Sequence, residues 1–226
     1  MALAALSLIA TLVFLSLGIW QVERRAWKLA LIAAVDARVH APPKPAPAAR
    51  AWRGLDAKRD AYRHVTARGR FLNDAETRVQ ALTGDGAGFW VLTPLRTDAG
   101  FTVLVNRGFV PPERANPATR DPVGGVVNVT GLLRMSEPGG SMLRSNQPAQ
   151  DRWFSRDVAA IAQARALQQA APYFIDADAG ANPGGSPRGG MTVLIFPNNH
   201  LIYSITWFAL ALLSFVGLIV VLRTQR

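Results

Sequence analysis

His200, Tyr203 and Trp207 stand at i, i+3 and i+7 at the head of a long apolar run, and this is where the chain could hold a cofactor. On a helix of 3.6 residues per turn they share one face, with Trp207 about 10 Å deeper than His200. Asn199 is the expected N-cap, and Pro197 stops the helix from starting earlier. A histidine in a first turn feels the positive end of the helix dipole, which disfavours imidazolium and leaves a neutral ring able to coordinate a metal. At a membrane edge, an amphipathic cofactor such as haem can keep its macrocycle in lipid and its carboxylates in water. The same residues also read as an aromatic belt at head-group level, with His200 an interfacial histidine without a ligand. Residue types alone leave both readings open.

A second group, Trp20, Arg24 and Trp27, stands at i, i+4 and i+7 after another apolar run. Arg24 and Arg25 are placed to pair with propionates or with lipid phosphates, lipid being the simpler partner. His40 and His64 share no ligand spacing with each other or with His200, which argues against a multi-histidine metal site. The chain has no cysteine, which excludes zinc ribbons, thioredoxin-type redox chemistry and thiolate copper sites. It has no nucleophile elbow, phosphate-binding glycine loop or HExxH, so no catalytic residue is expected and the chain does not read as an enzyme.

The elements that must position these groups begin with two uncharged runs, Ala2–Val22 and Leu201–Leu222. About 20 helical residues cross a hydrocarbon core of about 30 Å, so each run is long enough to span. The first passes into Glu23, Arg24, Arg25 and Lys28, with Trp20 and Trp27 where a signal-peptide cleavage site would want small side chains, so a retained anchor is expected. Trp27, Leu31, Val35 and Val39 carry an apolar stripe onward, so the first helix is predicted to extend to about residue 40. The organisation expected is a first span at 1–22, a linker at 41–61 beginning with the Pro/Ala-rich PPKPAPAAR, a β-rich domain at 62–197, a second span at 198–222 and a tail at 223–226.

Within the domain, β-like runs cover Tyr62–Phe71, Thr77–Leu82, Phe89–Arg96, Phe101–Val110, Val126–Arg134 and Met191–Phe196, with a hairpin turn at Asp98-Ala99-Gly100. One amphipathic helix is predicted from a Ser155 cap, with Asp157 in its first turn, to about Ala170. Gly180–Gly190 reads as a turn-rich loop. The fold class is therefore α+β: two transmembrane helices flanking one mainly antiparallel β domain, a sandwich or small barrel, with one amphipathic helix. The segment between the spans holds all 15 acidic and 23 of the 25 basic residues, leaving it at net +8. That favours anionic lipid or an acidic partner, while the scatter of the basic residues argues against nucleic acid. The basic cluster after the first span would hold the domain in the cytoplasm, but long loops escape that rule and Arg223 and Arg226 draw the other terminus inward, so charge leaves orientation open.

The chain resembles the Surfeit locus protein 1 family, membrane-bound assembly factors for haem-copper cytochrome oxidase, over nearly its whole length. The resemblance is carried by Leu17-Gly18-Ile19-Trp20-Gln21-Val22 with Arg24, Arg25, Trp27, Lys28, Leu31 and Ile32, by Gly69, Phe71 and Pro94-Leu95, and by Leu104-Val105-Asn106-Arg107-Gly108-Phe109-Val110-Pro111. Gly131, Arg134, Glu137, Trp153 and Asp157 follow in order, and Asn198-Asn199-His200-Leu201, Tyr203 and Thr206-Trp207-Phe208 close it. Phe109, Ser204 and Ser186 depart from the family's usual Trp, Ala and aromatic residue.

The resemblance implies that both termini lie inside and that the central domain faces the periplasm or intermembrane space. It also implies a role in building cytochrome c oxidase subunit I, with haem A as a transient cargo and haem A synthase as a further partner. His200 matches the family histidine associated with haem iron, and Arg24, Arg25, Tyr203, Trp207 and Trp20 complete the expected site. The alternative is a cofactor-free membrane scaffold that holds an oxidase intermediate. A copper chaperone is disfavoured by the missing cysteines and a sensor by the short tail. No transit peptide is seen before the first span, so a bacterial inner membrane is the expected location.

Overall fold

A computed structural model describes residues 1–226 other than Met142, Ala181, Pro183, Gly184, Ile195, Gln225 and Arg226. In chain order the elements are α1 (Ala2–Val39), β1 (Lys44–Pro45), α2 (Ala57–Asp60), β2 (His64–Phe71), β3 (Thr77–Thr83), β4 (Gly86–Thr97), β5 (Thr102–Val110), β6 (Val127–Met135), β7 (Gly140–Ser141), β8 (Arg144–Ser145), α3 (Val158–Ala164), β9 (Ala170–Ala177) and α4 (His200–Thr224). They form two compact units, Met1–Asp36 with Leu194–Arg226, and Ala37–Val193.

The first unit consists of α1 and α4, both long and apolar enough to cross a membrane. Their apolar side chains are broadly exposed, as lipid-facing surfaces must be. The buried positions are small or polar: Ala4, Gly18 and Gln21 on α1, Ser204 and Ala211 on α4. Gly18 is there because α4 comes close. A Cβ on it would sit 2.6 Å from the Phe208 ring. Without a hydrophobic drive between helices in lipid, such small residues let backbones approach and packing hold the pair together. Ser204 keeps that spot small, and its hydroxyl donates to Leu201 O at 2.9 Å.

The second unit is a small β-barrel. Around the ring β2 pairs antiparallel with β6, β6 with β9, β5 with β4 and β4 with β2, while β9 and β5 run parallel. Closure leaves no raw edge among these five strands; β3 extends β4 beyond the ring, and β1 lies parallel to β2. At the β2–β4 seam Gly69 faces Thr97, and a Cβ there would run into the Arg96 carbonyl oxygen, so only glycine lets the strands close.

Alternation along the strands divides the core in two. Val65, Ala67, Leu95, Val103, Val105, Val129, Leu133, Tyr173 and Ile175 fill the barrel, while Val79, Leu92, Leu104, Trp153, Ile161 and Phe174 pack outside it under α3. One barrel end is plugged. Trp52, from a 3-10 turn over Ala49–Gly54, meets Phe101 edge to face at 5.9 Å. The Pro47 carbonyl accepts both Trp52 Nε1–H at 2.9 Å and the buried Tyr173 hydroxyl at 2.8 Å. Burial raises the Tyr173 pKa, so that donor stays protonated.

Several expectations need correction. The segment over Pro42–Arg50 is not a bare linker, because Ala46 N–H joins Thr66 O at 2.9 Å and Ala46 and Ala48 pack on the core. The helix begins later and ends earlier than the Ser155-to-Ala170 reading. Asp157 is the cap, accepting from Ala160 N–H at 3.1 Å, and α3 stops at Ala164. The Ser155 hydroxyl donates instead to Glu137 O at 2.6 Å. Beyond the helix lies β9, which the sequence reading missed. The strand expected at Met191–Phe196 does not form among its described residues, Ile195 lying outside them. Thr192 donates its hydroxyl to Asp176 on β9, whose two edges β5 and β6 already occupy, so no ladder position is left there. In the Gly180–Gly190 loop Ala181, Pro183 and Gly184 also lie outside the described residues, as does Arg226 in the tail.

Candidate functional site

Within the helical unit, α1 and α4 run antiparallel at their contact, with Gln21 beside His200, Gly18 beside Phe208 and Phe14 beside Trp207. The Phe14 and Trp207 rings stack at 5.7 Å and 25°. Two turns above, Gln21 Oε1 lies 2.7 Å from His200 Nδ1. A carboxamide oxygen only accepts, so the contact calls for a proton on Nδ1, and in the neutral ring that leaves Nε2 with its lone pair. A metal-binding histidine is oriented in this way by a partner on its other nitrogen. Gln21 is itself 8% exposed, which holds the acceptor away from competing water.

The expected site residues divide. His200 and Trp207 lie partly buried on the α1-facing side of α4, whereas Tyr203 is 54% and Trp20 52% exposed on the outer faces. Arg24 is exposed, its guanidinium 4.0 Å from the Trp27 ring centre, and Arg25 is half-buried. Lys28 adds a third cation, 5.7 Å from the Phe196 ring. Two members of the cluster, Gln21 and Asn198, stand in the motifs of the resemblance but are not among the expected site residues. Gln21 is the one carboxamide in the run Ala2–Val22, and a polar group inside a span is a functional candidate by default, so the signal was present. Asn198 Oδ1 is buried without a partner, a free acceptor two residues before His200.

The residues fit a haem in their chemistry: an imidazole whose Nδ1 is engaged by Gln21 and whose Nε2 is left for iron, aromatic side chains on the lipid-facing side, and guanidinium groups at the interface for carboxylates. Among the described residues no cluster of three or more His, Asp or Glu could hold a bare metal ion.

The barrel unit carries its own polar centre. Asp176 on β9 is buried and accepts from Asn106 Nδ2 at 2.8 Å, Arg134 Nη1 at 2.6 Å, Arg156 Nη1 at 3.3 Å and the Thr192 hydroxyl at 3.1 Å. Glu137 holds Arg156 through two further bonds at 2.6 and 2.9 Å. Burial alone would lower the Arg156 pKa, but the Glu137 bonds and the Asp176 charge outweigh it and raise it. Phe174 sits against both guanidinium groups, at 5.8 and 4.8 Å. Asn106, Arg134, Glu137 and Asp157 all come from segments of the resemblance, and here they hold strands and loops together.

A histidine-bearing helix pair and a closed five-strand barrel define a membrane-anchored β-barrel protein. The SURF1 family profile matches residues 8–212. Surfeit locus protein 1 of Mus musculus is 37% identical over 212 residues, covering 86% of this chain and 67% of the relative. The Homo sapiens protein of the same name is 37% identical over 214 residues, covering 86% and 69%. A SURF1-like protein of Monosiga brevicollis is 36% identical over 213 residues, covering 88% and 79%. The chain belongs to the SURF1 family, a family of cytochrome oxidase assembly factors.

Proposed function

We propose that this chain handles haem A during assembly of cytochrome c oxidase subunit I, with His200 Nε2 as the iron ligand. The observation that carries the reading is the 2.7 Å contact between His200 Nδ1 and Gln21 Oε1, which engages Nδ1 and, in the neutral ring, leaves the Nε2 lone pair for iron. Arg24 and Arg25 receive the propionates at the head-group level, and Trp207 and the outward Tyr203 and Trp20 offer aromatic contact to the macrocycle. One histidine, rather than two, suits a cargo that must leave again. Subunit I and haem A synthase are the partners between which such a cargo passes. The spans lie in the membrane that carries the oxidase, a bacterial inner membrane on the sequence reading, with both termini inside and the barrel outside.

The test is to purify the full chain from a host that makes haem A and record its absorption spectrum. The reading requires bound haem that His200→Ala largely removes. No haem, or equal haem in the variant, would overturn it. Subunit I co-purifying undiminished after haem synthesis is blocked would then favour a cofactor-free scaffold.

A further inference from the structure

Among the described residues the barrel has one plugged end and one open end, and the open end holds a buried cation, Arg107, that forms no salt bridge with a described carboxylate. Along β5, Val103, Val105 and Arg107 alternate onto the inner face, so Arg107 is the last inward residue before the mouth. Its side chain belongs to a residue only 4% exposed. Around it a cavity of about 350 Å³ is walled by Phe71 of β2, Val105 of β5, Val127 and Val129 of β6 and Ala177 of β9. The guanidinium lies 5.3 Å from the Phe71 ring, and Nε and Nη2 both donate to one acceptor, Asn182 Oδ1, at 3.3 and 3.1 Å. Two donors on one oxygen leave the Nη1 edge of the fork without a partner among the described residues.

The other buried arginines of this unit are not treated so. Arg120 is clamped by Glu76 through bonds of 2.6 and 3.1 Å, and Arg134 and Arg156 share Asp176 and Glu137. A buried charge without a counter-ion costs several kcal/mol, and Arg107 offsets this only through the neutral Asn182 amide and the Phe71 ring, so it remains under-compensated in this position. Burial lowers its pKa, Glu76 opposes that and Arg120 adds to it, but Glu76 is already committed to Arg120. An anion entering the mouth would complete the fork.

The walls narrow the choice of anion. They are more apolar than polar, with four valines and Phe71 against Asn128, Thr130 and Asn182, which suits a charge carried on an apolar group. Asp178 also lines the cavity, its carboxylate held by His64 Nε2 at 2.9 Å, and a second negative charge on the ligand would be repelled there. At about 350 Å³ the cavity lies at the small end of the range for ligand pockets, so the ligand is small. We propose that the open barrel mouth is a binding site for a small aliphatic monocarboxylate, its carboxylate on Arg107 and its apolar part among Val105, Val127 and Val129. The group can come from the C-terminal residue of a protein or from a free short-chain acid. The site lies wholly within the barrel unit and is independent of the haem reading.

The full chain in lipid nanodiscs is titrated by calorimetry with N-acetyl-leucine, N-acetyl-leucinamide and hexanoate, with empty nanodiscs as the blank. The acid is expected to saturate the protein and to bind at least about tenfold more tightly than its neutral amide, since a charge-assisted pair is lost with the charge. Stronger binding of N-acetyl-leucine than of hexanoate assigns the site to a protein C-terminus, and the reverse order to a free acid. Arg107→Gln should abolish the preference for the acid. Because that variant sits in the core, Val127→Phe provides a second test: it fills the mouth, keeps Arg107 and should abolish binding of the acid. Equal binding of acid and amide, no saturable binding, or binding unchanged in Val127→Phe would overturn the assignment.

Discussion

Gln21 and His200, 179 residues apart in sequence, are joined by a 2.7 Å hydrogen bond between a carboxamide oxygen and an imidazole nitrogen. In the neutral ring the bond favours the Nδ1–H tautomer, so it bears on the chemistry of the histidine as well as its position. Replacing Gln21 with Leu should release the ring. In ¹⁵N-histidine NMR of the haem-free protein, His200 should pass from the Nδ1–H form to a mixture of tautomers. Haem affinity should fall by about 10- to 100-fold, the usual loss when a ligand histidine loses its outer partner. Gln21→Glu, which keeps an acceptor, should preserve the Nδ1–H form. A wild-type tautomer ratio in Gln21→Leu would show that the bond does not set the protonation.

Gly18 sets how closely the two helices approach. A Cβ there already meets the Phe208 ring at 2.6 Å, and a β-branched side chain cannot be accommodated without separating them. Spin labels at the exposed positions Leu12 and Leu213 should report a mean distance longer by about 1–2 Å in Gly18→Ile, the scale of a helix shift at an interface. Because Gln21 lies one turn along the same face, the same variant should also loosen the His200 bond. An unchanged distance would mean that Phe208 alone absorbs the insertion.

The barrel's polar centre should be costly to unbalance. Asp176 neutralises parts of both Arg134 and Arg156, and Asp176→Asn leaves two largely buried guanidinium groups facing Glu137 alone. Stability of the barrel, read from a denaturant transition, should drop by about 3–5 kcal/mol, the range for breaking a buried pair from one side. A loss below about 1 kcal/mol would mean that solvent or Glu137 compensates.

Much of this architecture could be read from the sequence because burial on one face leaves a period-two pattern. The runs over 62–71, 77–82, 89–96, 101–110 and 126–134 all contain strands. Strand β9 escaped for a physical reason. In Ala170–Ala177 the Tyr173, Phe174, Ile175 and Asp176 side chains are buried on both faces, between the barrel interior and the α3 layer, so nothing alternates. Its alanine- and glutamine-rich approach also continues a helical composition. Met191–Phe196 shows the opposite failure: an apolar run with good β composition but no free ladder edge beside it at Asp176. For the candidate site, spacing marked His200 and Trp207, but Gln21 becomes meaningful only when two helices from opposite ends of the chain are brought together.

His64 should make the barrel's stability depend on pH. Its Nδ1 faces the Ala41 carbonyl at 3.0 Å and its Nε2 the Asp178 carboxylate at 2.9 Å, so both ring nitrogens meet acceptors and the doubly protonated ring suits the site. Burial works against that charge, but the Asp178 bond, the Ala41 carbonyl and the Asp178 charge outweigh it and raise the pKa above 6.5. A group whose pKa is raised on folding binds its proton more tightly in the folded state. Its contribution is therefore complete below the unfolded pKa of about 6.5 and disappears as pH climbs through the raised folded value. Between pH 6 and pH 8 the wild-type denaturation midpoint should fall more than that of His64→Gln, with the two curves converging at the alkaline end. A fall of equal size in the variant would place the pH dependence elsewhere and leave the Asp178 contact without weight in folding.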